Sequence, residues 1–113
     1  MNEIKEKINV DGASCRPMSI NELMSVLRYP IQWFWSWAPR QYMTNDNKTM
    51  FRMRVSGHHH KGHVYIFLNW SDLFDVYFTT LQGVIKDKGE NIYVDTLSAY
   101  IDSKVERIKE YMT

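Results

Sequence analysis

A chain of 113 residues with 44% hydrophobic and 14% aromatic content is long enough for one domain with a real core, and this excludes disorder over most of its length. No apolar run approaches the roughly 18 residues of a membrane span, and Glu3, Lys5, Glu6 and Lys7 leave no apolar core for a secretion signal. The single Cys15 can form no internal disulfide, so a reducing, intracellular compartment is the expectation.

The net charge of +1 conceals an asymmetry. Between Val26 and Ile66 six Lys/Arg face one Asp, a surplus of five. From Phe67 onward five Lys/Arg face eight Asp/Glu, and the first 25 residues hold three against four. The middle of the chain is basic and aromatic, and the ends are mildly acidic. A set of solvated faces is the simplest reading of such a split.

In chain order, residues 1–17 carry only Ile4, Ile8 and Val10 as apolar markers before Asp11-Gly12-Ala13-Ser14 and read as a flexible arm. Residues 18–113 read as a single α+β domain. Ser19 and Glu22 have capping-box spacing, and Ile20, Leu23 and Leu27 form one stripe of a helix that should stop near Tyr29, ahead of Pro30. The segment Ile31 to Ala38 fits two periods, with Trp33 and Trp37 at helical i,i+4 spacing and Trp33, Trp35 and Trp37 alternating as in a strand. Aromatic enrichment and the following Pro39 favour a strand.

Asn45-Asp46-Asn47 is a turn. Phe51, Met53 and Val55 then alternate with Arg52 and Arg54. After the His58 to His63 loop, Val64, Ile66 and Leu68 alternate with His63, Tyr65 and Phe67. Past an Asn/Ser/Asp turn, Phe74, Val76 and Phe78 alternate with Asp75, Tyr77 and Thr79. Matching the apolar faces of this hairpin sets Leu68 opposite Phe74, Ile66 opposite Val76 and Val64 opposite Phe78. A slip of one residue would expose all six. Beyond Gly83 and a turn expected at Asp87-Lys88-Gly89, Val94, Leu97, Ile101, Val105, Ile108 and Met112 mark an amphipathic helix, the longest expected. The expected fold is a four-stranded, mostly antiparallel sheet, with an N-terminal helix and a longer C-terminal helix packed on one face.

On the opposite face the pattern gathers Arg52, Arg54, Tyr65, Phe67 and Tyr77. Arg54, Tyr65 and Tyr77 are expected in one cross-strand row, and Arg52, Phe67 and Asp75 in the next. Aromatic rings beside arginines are the chemistry of a stacking platform for single-stranded nucleic acid, unless the tryptophans or a second subunit cover them. Trp33, Trp35, Trp37 and Arg40 form a second candidate surface.

His58, His60 and His63 are imidazoles that could ligate zinc, copper or nickel. Their loop offers no Asp, Glu or Cys, and a solvated polar loop, with no metal or cofactor, is the plainer expectation. No Gly-x-Ser-x-Gly, Walker-type, His-Glu-x-x-His or paired-Cys motif occurs. Asp72 and Asp75 read as turn and strand residues rather than an acid and base. No catalytic residue is assigned, and no enzyme is expected.

From Ser19 onward the order of features resembles a group of small uncharacterised proteins encoded by bacteriophages and integrative elements. The matching features are the short helix, Ala38-Pro39-Arg40-Gln41-Tyr42, Asn45-Asp46-Asn47, Phe51-Arg52-Met53 and Val64 to Leu68, followed by Asp72-Leu73-Phe74-Asp75-Val76-Tyr77-Phe78, Gly83 and Ile92-Tyr93-Val94-Asp95 with Leu97. The three tryptophans and the His58 to His60 run depart from that pattern. The resemblance implies a mobile-element origin and a single small α+β domain, and no activity.

The favoured expectation is a small non-enzymatic interaction protein that binds and modulates or inhibits a host protein, such as a defence or nucleic-acid-processing enzyme. The alternatives are a nucleic-acid-binding protein using the aromatic and basic face, and a homo-oligomeric accessory protein with that face as its interface.

Overall fold

The structure is a computed structural model that describes residues 16–29, 31–45, 48–57 and 59–105. Its elements in order are helices α1 (Ile20–Leu27) and α2 (Ile31–Ser36), strands β1 (Arg40–Thr44), β2 (Phe51–Ser56), β3 (Lys61–Leu68), β4 (Phe74–Thr79) and β5 (Ile85–Ile92), a 3-10 turn (Val94–Thr96) and helix α3 (Leu97–Val105). The strands form one antiparallel meander in the order β1-β2-β3-β4-β5. This is the α+β class with an antiparallel sheet, built from five strands rather than the four expected.

The expected hairpin forms as drawn, with Leu68 paired to Phe74, Ile66 to Val76 and Val64 to Phe78. Asn69 holds its turn. The Asn69 Oδ1 accepts from the Ser71 and Leu73 amides at 2.9 and 3.1 Å, and Nδ2 donates to Asp75 Oδ1 at 3.1 Å. Because apolar residues alternate along β2, β3 and β4, one face of the sheet is Phe51, Met53, Val55, Val64, Ile66, Phe74, Val76 and Phe78, all buried. Leu23 and Leu27 of α1, Phe34 of α2, Trp37 just after it, and Leu97, Ile101 and Val105 of α3 close over that face. Among the described residues, all three helices therefore lie on one side.

The N-terminal helix begins where its cap predicts: the Ser19 hydroxyl accepts from the Glu22 amide at 3.2 Å. Ile31 to Ala38 is not a strand. It opens with α2, because Phe34 and Trp37, three residues apart, both turn into the core, where their rings meet edge-on at 5.8 Å. A strand would have sent them to opposite faces. The buried Trp37 indole then donates to Asp102 Oδ1 on α3 at 3.0 Å, which ties the first half of the chain to the last helix.

The two strands absent from the sequence expectation are the edges. β1 is short, with Gln41 at φ 54 and a register shift between Arg40 and Met43. β5 reads Ile-Lys-Asp-Lys-Gly-Glu-Asn-Ile and shifts register twice against β4. Charged and irregular edges keep a sheet from adding further strands, and the same property hides them from a search for alternating residues. β5 occupies Asp87-Lys88-Gly89, expected as a turn, so the C-terminal helix starts later, at Leu97, with Val94 half-exposed. Leu97, Ile101 and Val105 are fully buried, as their spacing requires. Over the described residues α3 has nine residues and α1 eight, while Ile108 and Met112 lie outside those described.

Residues 1–15 of the expected arm also lie outside the described residues. Arg16 is anchored, its amide donating to the Leu68 carbonyl at 2.8 Å. Among the described residues no helix is long and apolar enough to cross a membrane.

Candidate partner-binding face

Residue parity dictates what the opposite face of the sheet carries, which is helix-free among the described residues. With Phe51, Met53 and Val55 turned inward, Arg52 and Arg54 point outward. The pairing of β2 with β3 sets Arg52 against Tyr65, Arg54 against His63 and Ser56 against Lys61. From β3 to β4, Tyr65 meets Tyr77, His63 meets Thr79, and Phe67 meets Asp75. The edge strands extend these rows, with Arg40 beside Arg54, Met43 beside Arg52, and Lys88 beside Tyr77.

All five residues expected on this face, Arg52, Arg54, Tyr65, Phe67 and Tyr77, are brought together. Their rows differ from the expectation, since β2 pairs with β3 two residues away from the register assumed. Arg52, not Arg54, shares a row with Tyr65 and Tyr77, and Arg54 falls beside His63. A two-residue shift keeps every side chain on its own face, so it alters neighbours without altering the division between faces.

The rings are engaged with one another. Phe67 is 1% exposed, stacked on Tyr65 at an interplanar angle of 8° and 6.4 Å between centroids, and met edge-on by Tyr77 at 5.7 Å. His63 meets Tyr65 edge-on at 6.2 Å. A platform for nucleobases needs ring faces open to solvent. Phe67 offers none, and Tyr65 and Tyr77 are half-buried.

The charges are less occupied. Arg52 and Arg54 are half-buried, and Arg40, Lys61 and Lys88 are exposed. The ion pairs Arg16–Asp72 and Lys104–Asp87 lie elsewhere, and among the described residues Arg40, Arg52 and Arg54 enter none. The nearby carboxylate, Asp75, accepts from Asn69 Nδ2 at 3.1 Å and from the Asn91 amide at 3.0 Å. Two buried polar atoms here, Arg52 Nε and His63 Nδ1, have no hydrogen-bond partner. Burial, and then the charges of Arg52, Arg54 and His60, hold the His63 imidazole below its ordinary pKa.

The tryptophans do not form the second surface expected. A helix spreads them around its axis, leaving Trp37 fully buried, Trp33 half-buried against the core and Trp35 70% exposed. Arg40, expected with them, instead joins the cations of the helix-free face through its pairing with Arg54. Nor do the histidines gather. His60 packs edge-on against Phe78, a core-face residue, at 5.6 Å, while His63 sits on the opposite face, and His58 lies outside the described residues. Among the described residues no group of three or more His, Cys, Asp or Glu side chains could hold a metal ion.

Sequence reasoning missed Lys61, His63 and Lys88 as members of the face. The signal for His63 was present, two residues before Tyr65 on the same strand. Lys88 required knowing that β5 exists. A shallow apolar groove of about 170 Å³ lies on the helix side, lined by residues that include Met18, Leu23, Val26, Phe74 and Val94. It carries no comparable set of charges. Compared with protein-family models, curated proteins and solved structures, the chain matches none.

Proposed function

We propose that this is a small non-enzymatic interaction protein of the bacteriophage or mobile-element kind, acting in the cytoplasm of a bacterial host by occupying a surface of a host protein. The observation that carries the reading is the helix-free face, where Arg40, Arg52, Arg54, Lys61 and Lys88 surround Tyr65 and Tyr77. Arginine and tyrosine are enriched at the centres of protein interfaces, and a field of one sign both steers a partner and selects it by opposite charge. An acidic host protein is the partner this face fits.

Nucleic acid is the second reading, favoured by the same cations and disfavoured by the mutual packing of Tyr65, Phe67 and Tyr77. A homo-oligomer joined through this face is the third. Size-exclusion chromatography with light scattering separates it from the others, because like charges would then meet across the interface and dimerisation would strengthen with salt.

The test is affinity capture from host lysate with the wild type, Arg54→Glu, Tyr65→Ala and Trp35→Ala. A protein held by the wild type and by Trp35→Ala, and lost from the other two, is expected. Retention of the same protein by all four variants would contradict docking through this face.

A further inference from the structure

We infer that Arg40, Arg52, Arg54 and His63 form a site for a carboxylate supplied by an acidic segment of the partner protein. This deepens the docking reading of the helix-free face and rests on it. The four residues occupy adjoining positions of three strands, with Arg40 paired to Arg54, Arg54 to His63, and Arg52 one outward position along from Arg54. Neighbours of this kind lie about 5 Å apart across strands and about 7 Å apart along one. One anionic group can therefore reach several of them.

Three guanidinium groups beside an imidazole repel each other unless an anion sits among them, and among the described residues none enters an ion pair. His63 is 9% exposed with Nδ1 unpartnered, and Arg52 Nε is buried and unpartnered. Buried polar atoms in folded proteins nearly always have a partner. An arginine offers Nε and an Nη as a fork that matches the two oxygens of a carboxylate, and an imidazole N–H donates a further bond. A carboxylate accepts only and satisfies both atoms without bringing a donor of its own.

A phosphate would satisfy the same donors. The rings decide between macromolecules. Phe67 is 1% exposed, stacked on Tyr65 and met edge-on by Tyr77, so the central ring offers no face to the bases accompanying nucleic-acid phosphates. An acidic peptide asks for none.

The test follows the His63 ring signals of the full chain by NMR during titration with a hexaglutamate peptide, a thymidine hexanucleotide and inorganic phosphate, each at several pH values. Hexaglutamate is expected to move the His63 signals and raise the pKa of His63, with affinity about ten-fold weaker in Arg52→Gln and Arg54→Gln and unchanged in Arg28→Gln. Arg54→Lys, which keeps the charge and loses the fork, falls between, and the backbone spectrum of each variant checks that it folds. His63 signals unmoved by hexaglutamate, or equal affinity in the Gln variants, would overturn the site. Tighter binding of the hexanucleotide or of phosphate would overturn its assignment to carboxylate. The two readings fail separately. A host protein held through Tyr65 but indifferent to Arg52→Gln and Arg54→Gln sinks the carboxylate site alone. Hexaglutamate binding with no host protein held through the face sinks the docking reading alone.

Discussion

Trp37 is fully buried, and its indole N–H is spent on Asp102, which is itself 2% exposed. Phenylalanine at this position fills most of the volume and removes the donor, leaving Asp102 Oδ1 short of a hydrogen bond in the core. Trp37→Phe should therefore cost about 1–3 kcal/mol, read from urea unfolding. Trp35→Ala, on the exposed side of α2, should stay within about 0.5 kcal/mol of the wild type. Equal costs would mean that α2 presents another face to the core. Gly57 is constrained in a different way, since a Cβ there would run into the Val105 carbonyl and side chain. Gly57→Ala should destabilise by about 1–3 kcal/mol in the same assay.

Two histidines, His60 before β3 and His63 within it, give the fold a pH dependence with a definite sign. Burial is the main cause that lowers the pKa of both. For His63 the charges of Arg52, Arg54 and His60 add to it. For His60, hydrogen bonds to the His63 and Thr79 carbonyls and the charge of Asp87 oppose it, and Lys86 reinforces it. In the unfolded chain both titrate near ~6.5. Above that value neither state is protonated and stability is complete. As pH falls below it, the unfolded chain takes up protons first, and stability is lost until the folded-state values are reached. At Asp87, desolvation raises the pKa, but the hydrogen bond and charge of Lys104 and the Lys88 amide outweigh it. The net lowering makes stability fall again across the carboxylate range. The urea midpoint should be lower at pH 5.5 than at pH 7.5, and His60→Gln with His63→Gln should flatten that difference. A midpoint that rises on acidification contradicts the burial of these rings.

At the scale of elements, the hairpin of β3 and β4 was readable down to its register, because period-2 alternation and an Asn/Ser/Asp turn agree there. Asn69 shows why the turn holds: besides its bonds within the turn it donates to Asn91 Oδ1 at 2.9 Å, linking the hairpin to β5. Asn69→Ala should cost about 1–3 kcal/mol and speed amide exchange at Ser71 and Leu73. Exchange unchanged at both amides would show the turn to be held by other means. The tryptophan segment was not readable in this way, since Trp33, Trp35 and Trp37 satisfy both periods. Phe34, three residues before Trp37, breaks the tie, since both reach the core only if the segment is helical. β5 was hidden for a different reason. Its inward positions run from Asp87, which pairs with Lys104, through Gly89, which leaves room for the Tyr100 ring, to Ile92 opposite Phe74, across a shift of register. Contacts of that kind are set by the helix packed above and leave no apolar alternation in the strand.

Across the whole molecule, the division of the sheet into an apolar face under three helices and a cationic, aromatic reverse follows from alternation alone, and it survived a two-residue change of register. What alternation could not convey is how engaged the rings are. That depends on stacking between neighbours two residues apart and across strands, and it moves the weight of the candidate site from aromatics to cations. Binding through cations should weaken with added salt. The most direct measurement of the central claim is the NMR spectrum of the arginine Nε–H groups with and without the acidic hexaglutamate peptide, because the described arginines divide between the faces. Signals of Arg40, Arg52 and Arg54 should shift while those of Arg16 and Arg28 stay in place. Movement of Arg28 with Arg52 and Arg54 unmoved would place recognition on the helix side and contradict the account.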